Sequence, residues 1–413
     1  MKRFFKVKTV AEVLDLIGRF ERLADEEVTL TAARGRVLAA PVRAGENVPS
    51  FDRVTMDGYA VRAQDTFGAT ESLPGLFSLV GEVAMGERPQ GHIGPGQTMR
   101  IWTGGMLPEG ADAVVMVEYA RVVDQNTVEL ARAVAPYDHV IRPGEDVKEG
   151  EVLLKQGARL RPQDVGLLAA LGMGRVVVTR VPRVAVISTG DEVVPIEDRP
   201  APGQVRDINT YSLGALIESA HALPLHLGLV RDDPGELRAV VAKGLAQADT
   251  VILSGGSSVG VRDYTVEVFS SLPDSEILVH GVSVSPGKPT ILARAGKKSL
   301  WGLPGHAVSA MITFDLFLRP FIKRLCGEES GGERPGRFVE AVLVRNVASV
   351  HGREDYVRVR LERTGDGGLM AHPVLGKSGL ISTMVKADGL IRIGLNSEGL
   401  VRGSRVRVDL FEP

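Results

Sequence analysis

Cysteine is nearly missing from this chain: Cys326 is the only one in 413 residues. Neither an intramolecular disulfide nor a cysteine-rich zinc site can form within it, and a reducing compartment is expected. Histidines are few and scattered, no Ser-His-Asp set assembles by motif, and no GxxxxGKS or GxxxxGKT stretch occurs. Triad hydrolases and P-loop enzymes are therefore set aside. Charge of one sign is missing too, since 49 Lys and Arg face 51 Asp and Glu for a formal net charge of -2. That balance gives no reason to expect nucleic acid or a membrane surface as a partner, and any anion site must be local. No apolar run approaches a membrane span, and Met1 to Val10 has basic residues without the apolar core of a signal peptide. A cytoplasmic protein without tandem repeats or low-complexity tracts is expected.

What is present divides into several folding units, as the length requires. Val10, Val13, Leu14, Leu16, Ile17 and Phe20 predict a helix over residues 9–20, and a second helical stretch is expected around Thr31 to Ala40. From about Val48 to Val140 the pattern becomes short β-like runs split by glycine and proline, such as Phe77 to Val80, Thr98 to Trp102 and Ala113 to Val117. Pro162 to Leu171 then reads as a helix ending at Gly172. The strand-like runs Arg183 to Ser188 and Thr250 to Ser254 alternate with helical stretches Asn209 to Ala222, Pro234 to Gln247 and Val308 to Leu325, which argues for a parallel α/β domain. After the glycine- and glutamate-rich linker Gly327 to Gly336, short alternating runs predict a closing β-barrel or β-sandwich.

The expected fold is therefore multidomain, α/β plus β. It has a helical and extended N-terminal domain over 1–47 with 141–176, and an inserted β-rich domain over 48–140. A parallel-sheet α/β domain over 177–326 and a C-terminal β-barrel-like domain over 337–413 complete it.

Several loops carry candidate chemistry. The strand ending at Ser188 runs into Thr189-Gly190-Asp191-Glu192, putting two carboxylates at the carboxyl end of a parallel strand. They suit a hard cation such as magnesium, or Thr189 and Asp191 cap a turn. Thr250 to Ser254 opens into Gly255-Gly256-Ser257-Ser258-Val259-Gly260 before Asp263; these amides suit an anion nest, or the glycines serve packing. Asp232 sits at another strand end while Asp233 is placed to cap the helix from Pro234, the alternative being that both are caps. Pro286-Gly287-Lys288-Pro289 holds a lysine between prolines as a phosphate contact or a solvated turn residue. His306 in Leu303-Pro304-Gly305-His306-Ala307 is read as a neutral capping residue. In the β-rich insertion, Asp57 in Met56-Asp57-Gly58-Tyr59 and Thr103 in Trp102-Thr103-Gly104-Gly105 lie beside flexible backbone, where a hairpin alone would explain the glycines. Because they are far in sequence from the α/β loops, reaching one substrate requires a long fold-back or a second subunit, and a dimer with shared sites is expected.

These segments, in this order and across nearly the whole chain, resemble the molybdopterin molybdenumtransferases, the MoeA and gephyrin E-domain family. The resemblance implies an elongated homodimer whose third part binds molybdopterin. It implies an enzyme that takes adenylylated molybdopterin and molybdate, or tungstate, and releases AMP with magnesium assistance; the upstream molybdopterin adenylyltransferase becomes an expected partner. By motif match, Asp57 and Thr103 look like site residues of the inserted domain, and Glu192, Asp232 and Asp263 look like the acidic, metal-holding cluster. Gly255, Gly256, Ser257, Ser258 and Lys288 look like cofactor contacts, with Arg353 and Ser378 their C-terminal counterparts.

The chain departs from the family pattern at Gly281 and Ser285, where lysines are usual, at His306-Ala307 for asparagine-proline, and at Arg53-Val54-Thr55 for asparagine-serine-alanine. Arg53, Arg262 and Lys377 are candidates to restore the lost charge. An active transferase, selective for molybdate or tungstate, and a non-catalytic molybdopterin carrier or scaffold are the two readings that follow.

Overall fold

The computed structural model describes residues 7–255, 264–328, 338–365 and 367–411. The chain forms two compact units, one built from Met1–Ala39, Gln156–Leu160 and Val176–Pro413, the other from Ala40–Lys155 and Arg161–Arg175.

The first unit begins with the helix Val10–Ile17, whose start is fixed by a capping box: Thr9 Oγ1 accepts from the Glu12 amide while the Glu12 carboxylate accepts from Thr9 N. Its buried face, Val10, Val13 and Ile17, is the one that the helical spacing marks. The second expected helix is corrected. Only a 3-10 turn, Leu30–Ala32, forms there, and Val37–Leu38 is a strand paired with Arg175–Thr179. Gly35, at φ +76, turns the chain, and buried Val37 and Leu38 find their partners in a sheet instead of along a helix.

The centre of this unit is a six-stranded sheet. Arg183–Thr189 lies between Leu223–Val230 and Thr250–Ser254, and Lys298–Leu303 follows, all parallel. Ile291–Ala295 and Ser275–His280 complete the edge in antiparallel pairing. Helices cover both faces. Val184 and Val186 pack with Ile252 and Trp301 against Leu213 and Ile217 of helix Asn209–Ser219 and against Phe314, Phe317 and Phe321 of the helical run Ala307–Leu325. Ala185 and Ile187, pointing the other way, pack against Leu237 and Val241 of helix Pro234–Gln247 and Phe269 of helix Tyr264–Ser270. A strand buried on both faces needs apolar residues at every position, which is why 183–189 reads as a continuous run. The strand order reverses between Arg183–Thr189 and Thr250–Ser254, so the crossover helices diverge there and leave a crevice at the carboxyl ends.

The C-terminal part resolves the barrel-or-sandwich alternative as a barrel. Five strands, Glu354–Arg363, Leu369–Pro373, Phe338–Leu343, Arg405–Leu410 and Gly389–Ile393, pair in that order, and the last pairs back onto the first. Closure removes the exposed edges around a core of Leu343, Val359, Ala371, Ile391 and Val408. Val284–Ser285 adds in parallel to Glu354–Asp355, joining barrel and α/β sheet.

The second unit holds a six-stranded sheet in the order Ala113–Met116, Gly58–Val61, Gln97–Ile101, Gly75–Val83, Thr127–Leu130, Ala120–Asp124. Gly58 is required by the pairing: a Cβ there would sit 2.1 Å from the Val115 carbonyl oxygen. Among the described residues no helix is long and apolar enough to cross a membrane.

Candidate active site at the strand ends

In the first unit a cavity of about 900 Å³ opens where the parallel strands end. Ser188 and Thr189 come from the first strand, Asp232 from the loop after the second, Ser254 and Gly255 from the third, and Pro304, Gly305 and His306 from the loop after the fourth. Each lies at a carboxyl terminus because crossover helices return the chain to the opposite end of the sheet. Gly255, at φ +113, brings the turn against the first strand so closely that a Cβ would meet the Thr189 carbonyl oxygen at 2.1 Å. Its amide donates to Leu303 O at 3.2 Å. This glycine is needed for the approach of two strand ends, whatever else it touches.

Glu192 and Asp232 line the same cavity. Thr189 donates its hydroxyl to Asp232 Oδ1 at 2.6 Å, which fixes that carboxylate and leaves its second oxygen available. Asp191 accepts from the Asp232 amide at 3.3 Å, so of the acidic pair Asp191 serves the loop and Glu192 the cavity. Asp233 caps the next helix through the Glu236 amide at 2.8 Å. A magnesium ion keeps several waters and takes one or two protein carboxylates plus substrate phosphates, and Glu192 with Asp232 fits that requirement. Among the described residues no set of three or more His, Cys, Asp or Glu side chains is gathered for a metal. Asp263, Gly256, Ser257, Ser258 and Arg262 lie outside the described residues.

The floor is polar and buried. Ser188 donates to Asp207 Oδ1 at 2.9 Å and is 2.9 Å from the Thr210 hydroxyl, and the Thr210 amide reaches Asp207 Oδ1 at 3.1 Å. Asn209 donates through Nδ2 to Ser254 Oγ and to Gly305 O, each at 2.8 Å. Ser188, Asp207, Asn209 and Ser254 belong to none of the expected site motifs; their sequence signal is Asp207-Ile208-Asn209, two polar side chains at the start of helix Asn209–Ser219.

His306 is corrected from its expected role. It occupies the position before helix Ala307–Thr313 but makes no side-chain cap; its Nδ1 lies 2.9 Å from Ser378 Oγ. Gly379 lines the cavity beside it, so the barrel loop carrying Ser378 reaches the strand-end site. Lys288 is exposed and Arg353 pairs with Asp355 at 3.0 Å; neither is among the cavity's lining residues. Among the described lining residues Arg206 is the one Lys or Arg side chain, and His306 the one histidine.

In the second unit Asp57 and Thr103 form one contact. Asp57 Oδ1 accepts from the Thr103 amide at 2.7 Å and from its hydroxyl at 2.6 Å. These two hydrogen bonds, hydroxyl first, hold the carboxyl below the usual aspartate range, with Arg100 adding a smaller pull. Gly104 donates to Val54 O at 2.7 Å and leaves Arg53 beside it, so a carboxylate, a hydroxyl and a guanidinium share one exposed surface.

A doubly wound domain with a polar cavity at its switch point, carried in a multidomain chain with a closed C-terminal barrel, defines the class. Models of known families match the chain in three stretches: the MoeA N-terminal region, domains I and II, at residues 8–172; a probable molybdopterin binding domain at 185–324; and the MoeA C-terminal region, domain IV, at 340–411. A molybdopterin molybdenumtransferase of Bacillus subtilis is 33% identical over 408 residues, covering 97% of this chain and 94% of the relative. A putative molybdopterin biosynthesis protein of Methanocaldococcus jannaschii is 34% identical over 411 residues, with 95% and 96% covered. The crystal structure of a molybdopterin biosynthesis MoeA protein from Pyrococcus horikoshii superposes with a TM-score of 0.82 at 36% identity, over 99% of this chain and 100% of that one. The chain belongs to the MoeA family of molybdopterin molybdenumtransferases.

Proposed function

We propose that this protein acts in molybdenum cofactor biosynthesis as a molybdopterin molybdenumtransferase. It takes adenylylated molybdopterin and molybdate, breaks the diphosphate linkage with release of AMP, and leaves molybdenum on the dithiolene. The observation that carries this reading is the strand-end cavity in which Glu192, Asp232 and the Gly255 turn converge. Relatives bearing that activity's name match it over nearly their full length.

In this reading Glu192 and Asp232, with Asp263, would hold magnesium, which would supply positive charge to offset that of the diphosphate. Thr189 keeps Asp232 in place through its hydroxyl. Gly255 and the following Gly256, Ser257 and Ser258 offer backbone amides and hydroxyls to the phosphates, Ser378 steadies the His306 ring at the cavity, and Lys288 and Arg353 serve as anion contacts outside its lining. Asp57 and Thr103 serve as a second set of site residues, contributed in a homodimer with shared active sites. The domain division of 1–47 with 141–176, 48–140, 177–326 and 337–413 belongs to the same reading. So do a cytoplasmic location and delivery of substrate by the adenylyltransferase.

The test is single-turnover AMP release from adenylylated molybdopterin with magnesium, comparing molybdate, tungstate and no oxyanion. Release that depends on one oxyanion establishes the transferase and names its metal. Glu192→Gln or Asp232→Asn is expected to slow release by at least ~100-fold without lowering the melting temperature. That Arg206 is the one Lys or Arg among the described lining residues favours a second reading, a molybdopterin carrier. Tight pterin binding without release under any oxyanion supports that instead. Mixing Asp57→Asn with Glu192→Gln protein tests the shared site: a hybrid dimer regains activity only if the two residues act from different subunits.

A further inference from the structure

Two acceptors on the cavity floor lack donors. Asn209 is 7% exposed, and its Nδ2 faces Gly305 O, which can only accept; that contact fixes which way the carboxamide points. Its Oδ1 is buried and has no hydrogen-bond partner among the described residues. Two positions earlier Asp207, 8% exposed, spends Oδ1 on the Ser188 hydroxyl and the Thr210 amide. Among the described residues neither a cation nor a donor engages its Oδ2. Both residues line the cavity. Asp207 Oδ2 without a cation and the buried Asn209 carbonyl without a donor, two positions apart in sequence, are stabilised when hydrogen-bond donors enter through the cavity.

We propose that Asp207 and Asn209 form a donor-reading subsite that takes the 2-amino-4-oxopyrimidine edge of a pterin ring. The inference rests on the reading of this cavity as a molybdopterin site and says which end of the substrate the floor holds. The diphosphate carries only acceptors and negative charge, which Asp207 repels. Adenine presents an amino donor flanked by acceptor nitrogens, so one of the two floor acceptors would face a lone pair. The pterin edge presents an exocyclic amino group next to a ring N–H, two adjacent donors for two acceptors. Glu192 and Arg206 are exposed while Asp207 and Asn209 are buried, so the ring enters first and the charged end stays at the mouth.

The experiment uses the full chain loaded with adenylylated molybdopterin and measures its displacement by 6-hydroxymethylpterin and by 6-hydroxymethyllumazine, in which an oxo group replaces the 2-amino group. Wild type is expected to prefer the pterin by about tenfold or more. Asp207→Asn keeps a carbonyl for Ser188 and Thr210 but turns an amino group toward the ligand. It is expected to reduce the preference to under about threefold while AMP affinity stays unchanged. The wild-type comparison stands even where the variant folds poorly. Equal displacement by the two heterocycles, displacement by neither, or an undiminished preference in Asp207→Asn overturns the subsite. Failure of the wild type to bind adenylylated molybdopterin overturns the functional reading instead, and the subsite with it.

Discussion

At the residue scale, Thr103 has two jobs for Asp57 that differ chemically. Its amide and its hydroxyl both donate to Asp57 Oδ1, and only the hydroxyl can be removed by substitution. Thr103→Val is therefore expected to raise the Asp57 carboxyl part of the way back to the ordinary aspartate value, read by NMR titration of that carboxyl. The sign follows from the lowered value: the contact is fully present above the unfolded aspartate range and is lost as pH falls through the folded value. An unmoved titration would mean that the backbone amide and Arg100 suffice. Gly255 makes a sharper case of single-residue constraint. Gly255→Ala places a methyl group 2.1 Å from a backbone oxygen at φ +113, and is expected to cost about 2–4 kcal/mol by chemical denaturation.

At the element scale, a buried arginine sets the loop that reaches the cavity. Arg358, on barrel strand Glu354–Arg363 and 8% exposed, donates to Gly376 O and to Thr383 Oγ1, each at 2.9 Å, bracketing the loop that carries Ser378 and Gly379. Burial lowers its pKa, and among the described residues no carboxylate pairs with it. Arg358→Met keeps the length and removes the donors. It is expected to speed amide hydrogen exchange across 376–380 and to destabilise by about 1–3 kcal/mol. Strand ends are pinned in a similar way by Arg180 and Asp249, a bidentate pair in which Asp249 also accepts from the Arg183 amide at 2.9 Å. Burial pushes the Asp249 carboxyl up, but the Arg180 and Arg183 hydrogen bonds outweigh it together, and the net value is lowered. The stability it contributes is whole at neutral pH and disappears as pH falls through that lowered value. Asp249→Asn should therefore cost about 1–2 kcal/mol at pH 7 and progressively less below pH ~4, measured by urea unfolding across pH.

At the scale of the whole molecule, each unit has buried clusters of its own. Val54, Ile101 and Val114 belong to cores lying wholly in the second unit, while Trp301, Phe321 and Ile187 belong to cores of the first. Separate cores predict separable unfolding. Ile101→Ala, at a fully buried position, is expected to lower one calorimetric transition by the equivalent of about 2–5 kcal/mol and leave the other in place. A single transition that shifts as a whole would show that the units melt as one.

Much of this was legible in the residues because it depended on local periodicity. The apolar run at 183–189, the glycine after Ser254, the cap at Asp233 and the alternation after 338 each carry their structure in the identities of neighbours, and the family resemblance spans the same segments. What failed or stayed open was nonlocal. Residues 31–40 have an apolar spacing that a helix or a strand can bury, and only Gly35 with the partner strand 175–179 decided for strand. Barrel against sandwich was decided by Gly389–Ile393 pairing back onto Glu354–Arg363, a hydrogen-bonded closure that no window of sequence contains. The same holds for the floor of the site: Ser188, Asp207, Asn209 and Ser254 come from two strand ends and a helix start. Sequence alone determined which segments end in glycine, carboxylate or hydroxyl; only the packing of the sheet, by bringing those ends to one edge, decided which of them meet.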